Sequence, residues 1–225
     1  MIVAIDGPAG SGKSTIAKNT AHELGFRYLD TGAMYRAIAA RALELGVSFD
    51  DCAALTRIAQ SDTIEFGFTE NEPLPSRVLI AGEDVTERIR TPEVDRAVSP
   101  ISAHRPVREA LLVRQRQMAQ HTDYVVEGRD IGTVVFPDAP VKVFLTASPQ
   151  ERARRRAAQN LERGLPHTYD EILADITARD AYDSTRETSP LVAADDAVIL
   201  DSTMMTIEYV TERIAELVRA AQERP

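Results

Sequence analysis

The residues Gly7-Pro8-Ala9-Gly10-Ser11-Gly12-Lys13-Ser14-Thr15 carry the spacing G-x-x-x-x-G-K-[ST]. In that pattern glycines let backbone N–H groups turn inward around phosphate oxygens. The lysine reaches the β- and γ-phosphates, and the hydroxyl after it can ligate Mg²⁺. The flanks fit the same chemistry. Ile2-Val3-Ala4-Ile5 is a short, apolar, largely β-branched run of the kind found in buried parallel strands. After the loop, Ile16, Ala17, Thr20, Ala21 and Leu24 recur at helical spacing. A loop between strand and helix also receives the partial positive charge of the helix start. Residues 7–15 are therefore expected to bind ATP, with Lys13 catalytic and Ser14 the metal ligand, and Mg²⁺ as the cofactor.

A phosphate loop alone does not say what receives the phosphoryl group. The chain has no N-K-x-D element, which a guanine-specific GTPase needs, and it is small for an ATP-driven motor. With 26 basic and 35 acidic residues the net charge is −9, which argues against general nucleic-acid binding. Arginines nevertheless cluster at Arg152, Arg154, Arg155, Arg156 and Arg163. Others stand in three short groups: Asp30-Thr31-Gly32-Ala33-Met34-Tyr35-Arg36, Glu127-Gly128-Arg129-Asp130, and Arg179-Asp180 with Asp183 and Arg186. Guanidinium forks match phosphate oxygens and keep their charge. Ligands of parallel sheets bind beyond the carboxyl ends of the strands, and two of these groups follow strand-like runs. The pattern points to a small kinase whose acceptor is already phosphorylated. A module that senses ATP without transferring phosphate is the alternative from another class, and the converging arginines count against it. His22, His104, His121 and His167 fall on expected helix surfaces or loops and are read as structural.

These residues need a scaffold that brings them together. Residues 2–5, 26–29, 124–127, 141–145 and 198–200 read as buried strands separated by helical patterns, which implies an α/β protein with a five-stranded parallel sheet flanked by helices. Two stretches interrupt the alternation. Residues 31–103 open with a helix ending near Gly46 and a short helix from Asp50. They then show β character at 64–68 and 77–80, with 84–89 a third strand or turn, as in a small antiparallel sheet inserted into the core. A long helix with Pro106 in its first turn follows. Residues 148–182 carry Ser148-Pro149-Gln150-Glu151 and Thr168-Tyr169-Asp170-Glu171, each with the spacing of a capping box, split by Gly164-Leu165-Pro166. This reads as a helical lid. The last helix starts near Thr206. The organisation expected is one domain over 1–225, with core 1–30, 104–147 and 183–225, a monophosphate-binding insertion 31–103 and a lid 148–182.

The single Cys52 excludes an internal disulfide, and no apolar stretch approaches the ~18 residues of a membrane span. Met1 runs straight into the first strand, leaving no room for a signal peptide. A cytoplasmic protein is expected, monomeric, with small-molecule partners and neither nucleic acid nor membrane among them.

In these motifs, and in Ile89-Arg90-Thr91 and Glu127-Gly128-Arg129-Asp130-Ile131-Gly132-Thr133-Val134-Val135-Phe136-Pro137, the chain resembles the bacterial-type cytidylate kinases, nucleoside monophosphate kinases that phosphorylate CMP and dCMP. The matching elements span essentially the whole chain. The resemblance implies that Arg36, Arg129 and Arg186 hold the CMP phosphate, Ser99, Arg108 and Asp130 read the cytosine, and Arg179 and Asp183 meet the ribose. Arg152 and Arg155 of the lid reach the transferring phosphoryl group and, with Lys13 and Arg129, form the catalytic set. Glu127 stands where the family often has Asp, and Ser102 lies close to Ser99. AMP, UMP or a non-nucleotide acceptor remain the competing substrates.

Overall fold

The computed structural model describes residues 1–162, 164 and 168–223. Arg163, the Leu165-Pro166 part of the expected break and His167 lie outside the described residues. Five strands form one parallel sheet: β1 (Ile2–Asp6), β2 (Arg27–Asp30), β6 (Tyr124–Gly128), β7 (Val141–Thr146) and β8 (Val198–Asp201). Their order is β2-β6-β1-β7-β8. β1 is paired on both sides, Ile5 lying opposite Glu127 of β6 and Val143 of β7. Val3, Ala4 and Ile5 are fully buried, as expected where helices cover both faces.

On one face α1 (Lys13–Leu24) and α8 (Ile207–Gln222) pack through Ile16, Ala17, Ile214 and Val218. Gly25 ends α1 in the left-handed conformation at φ 68°. On the other face Leu29, Tyr124, Val126 and Ile131 form a second cluster, with Leu112 and Met118 of α5 (Arg105–Met118) against it.

The inserted part has its own core. Helices α2 (Thr31–Glu44), α3 (Cys52–Ser61) and α4 (Pro92–Ala103) surround the antiparallel sheet β3 (Ile64–Phe68), β4 (Pro75–Ile80) and β5 (Glu83–Asp84). Met34, Ile38, Leu55, Ile80 and Ile101 are buried there, together with Leu111 of α5. The side chain of Asp30 caps α2 by accepting from the Ala33 N–H at 3.0 Å. Two points differ from the sequence reading. The third strand is only two residues long, and the chain after it turns through a 3₁₀ helix, Arg88–Arg90. Helix α4 was not expected, although Thr91 caps it and Pro92 stands in its first turn. Pro100 inside the helix hides the pattern.

The lid consists of α6 (Pro149–Glu162) and α7 (Tyr169–Thr185), packed through Ala153, Ile172 and Ile176. The capping box at Thr168 and Glu171 is complete. At Ser148 only half of it forms. Ser148 Oγ accepts from the Glu151 N–H at 3.2 Å, but the Glu151 carboxylate turns to Arg154 and Arg155, whose charges outcompete a backbone N–H. No helix among the described residues is long and apolar enough to cross a membrane.

Candidate active site

The phosphate loop leaves the end of β1 beside the end of β7. Gly7 has φ 148°, and a Cβ there would stand 2.0 Å from the Leu145 carbonyl oxygen, so only glycine lets the loop pass. Gly12, at φ 91°, turns the chain into α1. Lys13 is buried and its Nζ donates to the Pro8 carbonyl at 2.7 Å, closing the loop on itself. Burial and the neighbouring Arg129 push the Lys13 ammonium well down from its ordinary range. Phosphate oxygens brought to the loop would supply the negative charge it lacks.

Glu127 lies at the end of β6, behind Lys13. Its Oε1 accepts from the Tyr28 hydroxyl at 2.5 Å. Its Oε2 is buried with no hydrogen-bond partner among the described residues. Burial, with Asp30 nearby, raises its pKa, while Lys13 and the Ser14 hydroxyl favour the charged form. Among the described residues no group of three or more His, Cys, Asp or Glu side chains could by itself hold a metal ion. An exposed Ser14 hydroxyl with the unpartnered Glu127 oxygen behind it is a sparse set of hard oxygens. That set suits Mg²⁺, which keeps much of its shell from water and substrate phosphates.

Asp6, at the end of β1, ties the loop to the acceptor side. Its two carboxylate oxygens accept from the Ile131 and Gly132 N–H groups at 2.8 and 2.7 Å. These residues open a π-helical turn, Ile131–Val135, directly after Arg129 and Asp130. Burial raises the Asp6 carboxyl to about 6 against the pull of the two N–H donors.

Across the crevice the sequence-predicted arginines come together. Arg129 Nε donates to Asp183 Oδ2 at 3.0 Å, and Arg186 Nη1 lies 3.8 Å from Asp183 Oδ1. Arg108 is buried against Asp130, donating to its Oδ2, and donates to the Ser102 carbonyl at 3.2 Å. Its guanidinium carbon lies 5.4 Å from the Tyr35 ring centre. Ser102 Oγ donates to the Ser99 carbonyl at 3.0 Å, so of the two serines it is the one already engaged. Arg36 donates to Asp95 Oδ1 at 3.1 Å. Arg179 is held down to about 10 by burial and by the charge of Arg129. Arg108 Nε, Arg179 Nε and Arg186 Nη2 are buried without a hydrogen-bond partner among the described residues. Buried, unsatisfied donors on cationic groups are costly, and an anionic, polar ligand would satisfy them.

The lid arginines divide by helical phase. Arg154 points outward and pairs with Glu151. Arg152 is buried: it donates to the Ala147 and Ala9 carbonyls at 2.9 and 3.0 Å and pairs with both oxygens of Asp180. Arg155 donates to the Ser11 carbonyl at 3.2 Å and to the Ser202 carbonyl at 2.6 Å. Both therefore reach the phosphate loop. Arg156 lies one helical turn beyond Arg152 and donates to Asp95 Oδ2 at 2.8 Å. Sequence reasoning gave Asp6, Asp95 and Asp180 no role. Asp6 directly precedes the phosphate loop and Asp180 directly follows Arg179, and a carboxylate next to the loop or to an arginine is a legible sign of a support. Asp95 sat on the helix that was missed. Of the histidines, His104 Nε2 contacts the Phe49 carbonyl at 2.8 Å.

A phosphate loop, a lid that bears on it and a facing crevice of arginines on a parallel sheet define a P-loop kinase. The family model for cytidylate kinase matches residues 3–220. The chain is 49% identical over 217 residues to the cytidylate kinase of Shouchella clausii, covering 96% of this chain and 95% of that protein. It is 48% identical over 222 residues to the cytidylate kinase of Solibacter usitatus, covering 98% and 93%. A solved structure of an uncharacterized protein from Eubacterium ventriosum shares the fold at 11% identity, with a TM-score of 0.50 over 100% of this chain and 99% of that one. The chain belongs to the cytidylate kinase family.

Proposed function

We propose that the protein transfers the γ-phosphoryl group of ATP to CMP or dCMP, giving ADP and CDP or dCDP, with the two substrates meeting between the phosphate loop and the arginine crevice. The observation that supports this arrangement most strongly is the convergence of Arg36, Arg129, Arg179 and Arg186 near Lys13, with buried guanidinium nitrogens of Arg179 and Arg186 that have no hydrogen-bond partner among the described residues. Arg36, Arg129 and Arg186 take the acceptor phosphate, Arg179 and Asp183 the ribose, and Ser99, Arg108 and Asp130 the cytosine edge. An ionised Asp130 accepts from the cytosine amine and repels the carbonyl that uracil carries at that position. Ser14, with Glu127 behind it, would hold a Mg²⁺ ion, which would supply charge neutralisation for the triphosphate.

The acceptor phosphate is mostly dianionic at neutral pH, its second pKa being about 6. It attacks without a general base. The work left to the protein is alignment and charge stabilisation by Lys13, Arg129, Arg152 and Arg155. The lid must also keep water from the γ-phosphate. The reading is tested by ADP release from ATP with each monophosphate in turn. Release that depends on CMP or dCMP and is weak with UMP and AMP supports it. Release that ignores the added monophosphate would make the protein an ATPase, and no release with any monophosphate would make it a sensor.

A further inference from the structure

The Asp95 carboxylate occupies the middle of the acceptor-side arginines. One oxygen accepts from Arg36 of α2 at 3.1 Å, and the other accepts from Arg156 of the lid helix α6 at 2.8 Å. Arg179 acts on it as a third positive neighbour, and together the arginines overcome burial to hold the carboxyl below its ordinary range. A two-oxygen anion gripped by guanidinium groups from the insertion and the lid imitates what a phosphate would do in the same place. Asp95 sits on α4, and Thr91, Pro92 and the buried Val94 and Val98 fix that helix, so the carboxylate is presented to the arginines from a fixed backbone.

We propose that Asp95 is a positioning residue that stands in for the acceptor phosphate in the empty site, keeping Arg36 oriented and latching the lid to the insertion until the incoming phosphate displaces it. Substrate binding then exchanges one anion for another. The arginines are not left bare between turnovers, and the lid exchanges its hold on α4 for contacts with the bound substrates when a phosphate claims Arg36. The inference rests on the acceptor-site reading above, because it takes Arg36 as a phosphate ligand.

The test compares Asp95→Asn with wild type in CMP titration calorimetry, in competitive inhibition by cytidine, which lacks the phosphate, and in ATP KM. Removing the competing charge should tighten CMP about fivefold, the size of a part-exposed ion pair. Cytidine inhibition and ATP KM should not follow. Hydrogen exchange over residues 149–162 without ligand should quicken in Asp95→Asn and equally in Arg156→Gln, which breaks the lid half alone. Unchanged or weaker CMP binding in Asp95→Asn overturns the stand-in role, as does equal tightening of CMP and cytidine. Arg36→Gln separates the two layers. If it leaves CMP affinity intact, the acceptor-site reading fails and this inference with it. If it weakens CMP while Asp95→Asn does not tighten it, only the inference fails.

Discussion

Asp130→Asn is the substitution that most directly tests base reading, and the Arg108 contact determines how it should act. Arg108 is donor-only and buried, and it donates to one oxygen of Asp130. An asparagine at 130 must turn its amide oxygen to Arg108, because an NH₂ group there would face another donor. Its NH₂ is then presented where the carboxylate's second oxygen had been. Cytosine loses a charge-assisted acceptor for its amine, a cost of roughly 1.5 kcal/mol, and uracil gains a neutral donor for its carbonyl, worth roughly 1 kcal/mol. Together these amount to ~2.5 kcal/mol, on the order of a fifty- to hundredfold fall in the CMP-over-UMP ratio of kcat/KM at ~1.4 kcal/mol per tenfold. The same change weakens a buried ion pair. Leaving one charge wholly unpaired costs roughly 3–5 kcal/mol, and since asparagine still accepts from Arg108 a thermal-melt loss of about half that is expected. Steady-state rates with both monophosphates give the ratio, and thermal melts confirm that the variant is folded. If rates on CMP and UMP fall equally and the ratio stands, Asp130 serves only to hold Arg108 and the base-reading role is wrong.

Lys13→Met should abolish nearly all turnover while circular dichroism stays native. A variant keeping more than about a tenth of the wild-type rate, a loss under ~1.4 kcal/mol, would exclude Lys13 from the reaction. Arg129→Gln and Arg186→Gln should each weaken CMP by roughly 1.5–3 kcal/mol while hardly touching ATP affinity; equal weakening of both ligands would mean the acceptor site lies elsewhere. Hydrogen exchange over residues 149–162 should slow further when ATP and CMP, or a bisubstrate mimic, are both present, and no slowing would show that Arg152 and Arg155 do not gain contacts from substrate.

Much of the scaffold was legible because the central strands are buried on both faces, so that runs such as residues 2–5 and 141–145 stand out without alternation; the edge strand β8, expected to be buried from its apolar run, is instead largely exposed, because no strand pairs with its outer side. The order β2-β6-β1-β7-β8 was not legible. It places a strand from residue 124 between two from the first thirty, and local sequence says nothing of that pairing. Helix α4 was missed although Thr91-Pro92-Glu93 is a start signal, because Pro100 reads as a break and the segment adjoins β-like runs. That omission hid Asp95 as well.

By sequence the arginines are cations waiting for an anion; in the structure most of them already have one. Arg36, Arg108, Arg129 and Arg152 each already face a carboxylate, respectively Asp95, Asp130, Asp183 and Asp180. A chain of net charge −9 can therefore gather arginines in one crevice without the mutual repulsion that bare guanidinium groups would suffer. If this crevice is the acceptor site, as proposed, a phosphate entering it does not meet an uncompensated positive field. It must exchange with, or add to, anions already present, so its affinity is set by the difference between two sets of ion pairs. Discrimination between substrates can then be sharp without the site being unstable when empty. The carboxylates that sequence reasoning passed over shape the site as much as the arginines it singled out.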